Sequence, residues 1–297
     1  MKATLKSISL PNGETIGYRE RDGGQQVVLL VHGNMISSYH WDLAFEHLDE
    51  RFKLYAIDLR GQGTSTYVTP IGALKDFATD IKLFVDALKL SSFSVVGWSM
   101  GGGISMQFAA DYPEYVEKLV LLSSMSTRGY PLYKVNSFGK PILTERLQSK
   151  EEIRKDRARY IPMTAAYRSK NTVFLRQILN ATMYSVKKPD RLRYRAYMED
   201  ILQQRNLLDV YDAMNRFNIS HHHNGLVEGT KEVDRIKAPT LVLWGDKDLI
   251  VTYKMQKEIL EDVGDNASFT RLRKVGHSPL VDDIETFSQV LLHFLGE

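Results

Sequence analysis

The chain predicts an α/β protein: a mostly parallel, twisted sheet with helices on both faces, interrupted by one inserted helical segment. Three observations carry this. Short, wholly apolar runs recur along the sequence, amphipathic stripes of helical period separate them, and the alternation stops between residues 125 and 237 before resuming.

Leu5–Leu10 and Thr15–Arg21 alternate like strands and are joined through Pro11-Asn12-Gly13, a hairpin turn signal. Val27-Val28-Leu29-Leu30-Val31 is apolar throughout, as a strand buried on both faces must be. Leu54–Ile57, Phe93–Val96, Leu119–Leu122 and Leu241–Trp244 repeat that pattern, and Phe269–Leu272 reads as a further short strand. Between them, Phe77, Ile81, Phe84, Val85 and Leu88 fall on one helical face, as do Phe287, Leu291 and Phe294 near the C-terminus. The intervening stretch is rich in Arg, Lys, Tyr and Met and is punctuated by Pro131, Pro141, Pro162 and Pro189. Its predicted helices are Glu151–Ala166, Thr172–Met183 and Leu192–Leu202. The expected division is a core from residues 1–124 and 238–297, with a mainly helical cap from 125–237.

Composition narrows the function. The 297 residues include no cysteine, which excludes a thiol nucleophile, a disulfide framework and a cysteine-based metal site. The first residues lack an apolar signal core and no run approaches membrane-span length, so a cytoplasmic protein without stable membrane insertion is expected. Net charge is +3, too little to argue for nucleic acid. Residues 126–237 hold 22 Lys and Arg against 12 Asp and Glu, so the cap is basic and the rest of the chain is acidic.

The chemistry centres on Gly97-Trp98-Ser99-Met100-Gly101, set between an apolar strand and a small-residue helix start. A G-x-S-x-G in that context is a nucleophile elbow: the serine occupies a strained turn that lifts its hydroxyl clear, and side chains at the glycine positions would crowd it. A serine hydroxyl needs an adjacent base, and the base needs an orienting carboxylate. Candidates follow in chain order. Gly245-Asp246-Lys247-Asp248 comes directly after a strand, and His277 lies in the loop Lys274-Val275-Gly276-His277-Ser278-Pro279. The oxyanion needs backbone donors, expected from the N–H of Met100 and from the loop His32-Gly33-Asn34, with Asn34 the chosen residue.

These pieces resemble the α/β-hydrolase fold superfamily, in the serine esterase, lactonase, haloperoxidase-like and C–C hydrolase group that carries a helical cap. The matching residues are His32-Gly33, Asp58-Leu59-Arg60-Gly61-Gln62-Gly63-Thr64-Ser65, Gly97-Trp98-Ser99-Met100-Gly101-Gly102, Gly245-Asp246-Lys247-Asp248 and Gly276-His277, in the family's order. The resemblance implies a triad of Ser99, Asp248 and His277, with Asp248 rather than Asp246 as the acid and Asp246 fixing its loop. Where many relatives carry proline three residues after the acid, this chain has Val251. A serine nucleophile separates it from the epoxide-hydrolase and haloalkane-dehalogenase branches, which need an aspartyl ester.

The expected function is therefore a cofactor-independent serine hydrolase acting on a small-molecule ester, lactone or related acyl substrate. A C–C bond hydrolase, an amidase or aminopeptidase on the same triad, and a non-catalytic ligand-sensing protein are the alternatives. Trp98 is assigned to substrate binding beside the nucleophile. His221-His222-His223 cannot all face one ion on a regular element, so no metal site is assigned; a polar cap or pocket-lining loop is the expectation. Gly61-Gln62-Gly63 lacks the phosphate-loop lysine and reads as a tight turn.

Overall fold

The apolar runs pair as strands, and which strands neighbour each other decides where the chemistry gathers. The computed structural model describes residues 3–296. Ten strands occur among them: β1 (Thr4–Ser9), β2 (Thr15–Arg21), β3 (Gln26–Val31), β4 (Phe52–Ile57), β5 (Phe93–Trp98), β6 (Val116–Leu122), β7 (Tyr133–Val135), β8 (Pro141–Arg146), β9 (Thr240–Gly245) and β10 (Ala267–Leu272). Eight form one sheet in the order β1-β2-β4-β3-β5-β6-β9-β10. At one edge β1 pairs antiparallel with β2 and β2 antiparallel with β4, and the remaining pairings of this sheet, from β4 across to β10, are parallel.

Alternate residues of the central strands feed two different cores. Leu29, Val31, Val95, Leu119, Leu121 and Val242 face one side and pack against α2 (Leu74–Ala87) and α3 (Met100–Asp111). Leu30, Leu54, Val96, Trp98, Val120 and Leu243 face the other. There they pack with Ala44 and Phe45 of α1 (Asp42–His47) and with the C-terminal helix. Period-two alternation with both faces covered is why these strands read as unbroken apolar runs. In α2 the predicted stripe is buried from Phe77 to Val85, with Leu88 only partly covered at the helix end. Each fully buried Phe or Val contributes about 1.5–3 kcal/mol relative to exposure.

The inserted segment differs in part from expectation. It holds five helices: α4 (Lys150–Arg154), α5 (Tyr160–Arg168), α6 (Thr172–Ala181), α7 (Arg191–Ile201) and α8 (Leu207–Arg216). The single helix expected over 151–166 is two, because the chain turns at Asp156, whose carboxylate accepts from the backbone N–H of Ala158 and from Arg159. The segment also contains the β7–β8 hairpin, closed around Asn136, whose side chain accepts from the N–H groups of Phe138 and Lys140. After β9 come α9 (Tyr253–Val263), α10 (Pro279–Asp282) and α11 (Ile284–Gly296), with β10 preceding α10. Among the described residues no helix is long and apolar enough to cross a membrane.

Parallel register sets the C-terminal ends of β3, β5, β6 and β9 along one rim. Val31 of β3 is level with Gly97 of β5, and Leu122 of β6 is level with both Trp98 and Leu243. The loops leaving that rim carry Gly33, Ser99 and Asp248, as open α/β sheets commonly arrange their ligand sites.

Candidate active site

Ser99 sits between β5 and α3 with φ 60° and ψ −119°, a strained conformation for a residue with a side chain. Such strain costs of order 1–3 kcal/mol and is held only by surrounding packing. The packing is tight: a Cβ on Gly97 would lie 2.4 Å from the carbonyl oxygen of Gly101, and one on Gly101 would lie 2.2 Å from that of Val31. Both glycines are therefore required by close backbone approach.

Beyond β10, the loop to α10 carries His277, whose Nδ1 lies 2.8 Å from Asp248 Oδ2. Both side chains are buried, at 1% and 0% exposure. Donation from Nδ1 to the carboxylate fixes the tautomer that leaves Nε2 as a base. The other oxygen of Asp248 accepts from the backbone N–H groups of Ile250 and Val251, at 2.8 and 2.9 Å. A proline at 251 could not donate that second bond, so the departure from the family pattern supplies its own way of holding the acid. Burial works to raise the Asp248 carboxyl, but the His277 imidazole and the two N–H donors outweigh it and hold it below the usual carboxylate range. Asp246 is turned elsewhere: it accepts from the N–H of Lys274 at 2.7 Å and pairs with Arg271 at 3.1 Å, tying its turn to the end of β10.

The loop after β3 reaches Ser99 from the other side. His32 is fully buried; its Nε2 accepts the N–H of Leu59 at 3.0 Å, so Nδ1 donates to the carbonyl of Gly33 at 2.8 Å. Burial pushes this imidazole down to about 4, against weaker opposing effects from the Gly33 bond, Asp58 and Asp200. Asp58 accepts from the N–H of Ser38 and from both the N–H and hydroxyl of Thr64, which locks the Asp58–Ser65 turn against the same loop. Asn34 is held through its side chain, whose oxygen accepts from Gln204 Nε2 at 2.8 Å. Met100 opens α3, so its N–H has no intrahelical acceptor.

Ser99, His277, Gly33 and Asn34 line one cavity of about 210 Å³. Its walls are Met35, Tyr130, Leu132 and Ile250. Its roof comes from Ile178 and Leu179 of α6, Thr182 and Met183 just beyond, and Tyr211 and Met214 of α8. Among the described residues lining it, Arg159 is the sole Asp, Glu, Lys or Arg; it is paired with Asp156 at 2.7 Å and also donates to the carbonyl of Tyr133. Among the described residues the Ser99 hydroxyl has no hydrogen-bonded partner, and apo serine sites often close the bond to the base only on docking substrate. A larger groove of about 690 Å³ lies away from this site, beside β2, α1 and the start of α7. Its Arg193 is neutralised by Asp42 and Glu46, and it contains no nucleophile–base pair.

Trp98 is not part of the cavity lining, which corrects its assignment to substrate binding. It is 1% exposed, packs edge-on against Trp41, and donates its indole N–H to the backbone of His277. It points to the opposite side of β5 from the core that buries Met100. Of the tyrosines in the inserted segment, Tyr130 and Tyr211 line the cavity, whereas Tyr184 packs edge-on against Tyr194, and Tyr197 stacks on His40 and donates to Asp42. Tyr211, Arg159 and the α6 lining carried no motif. The apolar spacing along α6 and α8 is the one sequence signal that could have found them.

A family model for the alpha/beta hydrolase fold matches residues 26–284. A 2-hydroxy-6-oxononadienedioate/2-hydroxy-6-oxononatrienedioate hydrolase from Paraburkholderia phymatum is 26% identical, covering 99% of this chain and 96% of that protein. Among solved structures, the esterase EaEST from Exiguobacterium antarcticum superposes with a TM-score of 0.74 at 18% identity, covering 99% of this chain and all of that one. Est816, described as an N-acyl homoserine lactone degrading enzyme, gives a TM-score of 0.68 at 21% identity over 97% of this chain and 100% of its own. With the family model spanning six of the eight strands of the main sheet, β3 to β6, β9 and β10, and every loop that meets at Ser99, the chain belongs to the alpha/beta hydrolase fold family.

Proposed function

We propose that this hydrolase is a serine enzyme cleaving a neutral carboxylic ester or lactone. The observation that carries the reading is the placement of Ser99 and His277 on one apolar cavity while His277 is oriented from behind by Asp248. His277 Nε2 takes the hydroxyl proton as Ser99 Oγ attacks the acyl carbon. The carbonyl electron pair moves onto oxygen, where the N–H groups of Asn34 and Met100 receive it. Collapse expels the alkoxide, which leaves with the proton from His277 and gives an acyl-enzyme. Water then attacks with His277 again as base, the second intermediate expels Ser99 Oγ with that proton, and the free acid departs. No step needs a metal or an organic cofactor.

A second reading, hydrolysis of a C–C bond in a dienoic ketone, is favoured by the names of the curated relatives. A dienedioate carries two carboxylates, and the cavity offers them only Arg159, already paired with Asp156. A buried anion without a free counter-charge is strongly disfavoured, so the neutral acyl substrate is preferred. Steady-state turnover of p-nitrophenyl esters of graded acyl length, several lactones and a 2-hydroxy-6-oxo-dienedioate tests this. Esters or lactones should turn over with kcat/KM at least 100-fold above the dienedioate. The reverse ranking would overturn the proposal in favour of C–C hydrolysis.

A further inference from the structure

Residues 129–133 form a wall with two sides. Tyr130 and Leu132 face the catalytic cavity, while Gly129, Pro131 and Tyr133 border a separate groove of about 430 Å³. That groove is bordered by nitrogen-bearing side chains from three segments: Arg146 at the end of β8, His222 and His223 in the loop after α8, and Lys254 in the first turn of α9. Arg128 also borders it but is held by Asp262 and Glu261. The acids facing this region are Glu258, loosely paired with Lys254 at 3.7 Å, and Asp262, which lies 4.0 Å from His222 Nε2.

Arg146 is the unusual member. It is 7% exposed, yet its guanidinium donates only to neutral oxygens: the side chain and backbone of Asn215 and the backbone of Asn224. Three of its five N–H groups are thus used and two remain. Burial works against this charge, and the nearby Arg216 adds to the burden, whereas only the phenol of Tyr133 opposes it. A buried cation without a carboxylate partner is costly, and an anion seated beside it relieves that cost. His223 Nδ1 accepts the N–H of Gly225, which leaves its Nε2 as the donor in the neutral ring. The start of α9 adds the positive end of a helix dipole at the same border.

We propose that this groove binds a phosphate group. Donors arriving from three separate segments suit a tetrahedral dianion, whose oxygens can engage several partners at once, better than a planar carboxylate with two. The site also touches the catalytic cavity. Asn215 Oδ1 accepts simultaneously from Arg146 Nε at 2.8 Å and from the backbone N–H of Leu132 at 2.9 Å. Phosphate drawing on Arg146 changes the bond that seats Leu132, a residue of the cavity wall, so occupancy shifts the KM for acyl substrate.

The test is a titration of the whole protein, followed by NMR of its histidine ring Cε1–H signals at fixed pH and ionic strength. The probes are inorganic phosphate, glycerol phosphate and sodium acetate, with His223→Gln assigning one signal. The His222 and His223 signals should move saturably with phosphate at millimolar or lower concentration and not with acetate. Lys254→Gln, on the surface, should weaken binding at least fivefold, and Arg146→Gln should abolish it in a protein that keeps its other histidine signals. Tighter binding of glycerol phosphate than of phosphate assigns the site to a phosphomonoester, and the opposite order assigns it to the free ion. Shifts that do not saturate, that acetate reproduces, or that Lys254→Gln leaves unchanged overturn the proposal. Because binding is read directly, the outcome does not depend on whether the enzyme proves to be an esterase.

Discussion

The indole N–H of Trp98 donates to the backbone carbonyl of His277 across 2.9 Å, so the residue before Ser99, the proposed nucleophile, holds the loop that carries the proposed base. Trp98 is buried on the far side of β5, and Ser99 projects into the cavity. One strand end thereby sets the position of both Ser99 and His277.

Replacing Trp98 with Phe keeps most of the packing and removes that bond. The expected outcome is a loss of about 1 kcal/mol in stability and a fall in kcat of roughly tenfold as the base loses its seat, with the ranking of acyl chain lengths unchanged. Denaturant unfolding and a kcat/KM series over chain length check both parts. A changed chain-length ranking would return Trp98 to the substrate pocket.

The two aspartates of the Gly245–Asp248 turn should behave differently. Asp248→Asn leaves His277 without its anion and is expected to lower kcat by about 10⁴. Asp246→Asn loosens contacts with Lys274 and Arg271 and should stay within tenfold of wild-type kcat while lowering Tm. Equal losses of kcat in both variants would contradict this division of roles.

His32 makes stability depend on pH. Its imidazole is neutral in the fold, pushed down to about 4 by burial, while in the unfolded chain it protonates near 6.5. As pH falls from 6.5 towards 4, the unfolded state takes up a proton that the folded state refuses, so stability is lost through that window. The depressed-pKa case gives stability above the unfolded value and loss below it, up to roughly 3 kcal/mol in total. His32→Asn should be less stable at pH 7 but lack this part of the slope. Urea unfolding at pH 7, 5.5 and 4.5 compares the two; parallel pH profiles would count against the assignment.

Gln204 donates to the side chain of Asn34 and to Asn206, and Asn206 in turn donates to the carbonyl of Arg60. A strap after α7 thus steadies the loop whose N–H is assigned to the oxyanion. Losing an oxyanion donor outright costs about 10²–10³ in rate; loosening it through Gln204→Leu is expected to cost about tenfold in kcat with little change in KM. Asn34→Ala retains the backbone donor, so the double variant should be no worse than the poorer single one. Additive losses would show that the two residues act separately.

Much of the core was legible in the sequence because each central strand is buried on both faces, which forces an apolar run that no surface strand shares. The elbow was legible because Gly97 and Gly101 leave no room for a Cβ. Asp248 and Asp246 could not be told apart by type or spacing. The family resemblance favoured Asp248, and the turn of the chain aims that carboxylate at His277 and the other at Lys274. The cavity lining was not legible either. Ile178, Leu179 and Met214 look like any amphipathic helix face until α6 and α8 are set beside Ser99 around one cavity. The β7–β8 hairpin was hidden in a stretch of mixed polarity, where burial is too slight to impose alternation. Trp98 shows the reverse error: adjacency to the nucleophile along a strand puts a side chain on the opposite face.

The most direct test of the account is whether Ser99 itself becomes acylated during turnover. Rapid mixing with a p-nitrophenyl ester should release a burst of one p-nitrophenol per protein under conditions where deacylation limits. Acid quenching followed by peptide mass analysis should then find the acyl group on Ser99 and nowhere else, with Ser99→Ala giving neither burst nor adduct. Turnover that proceeds with no covalent adduct, or with the label on another residue, would contradict the serine mechanism.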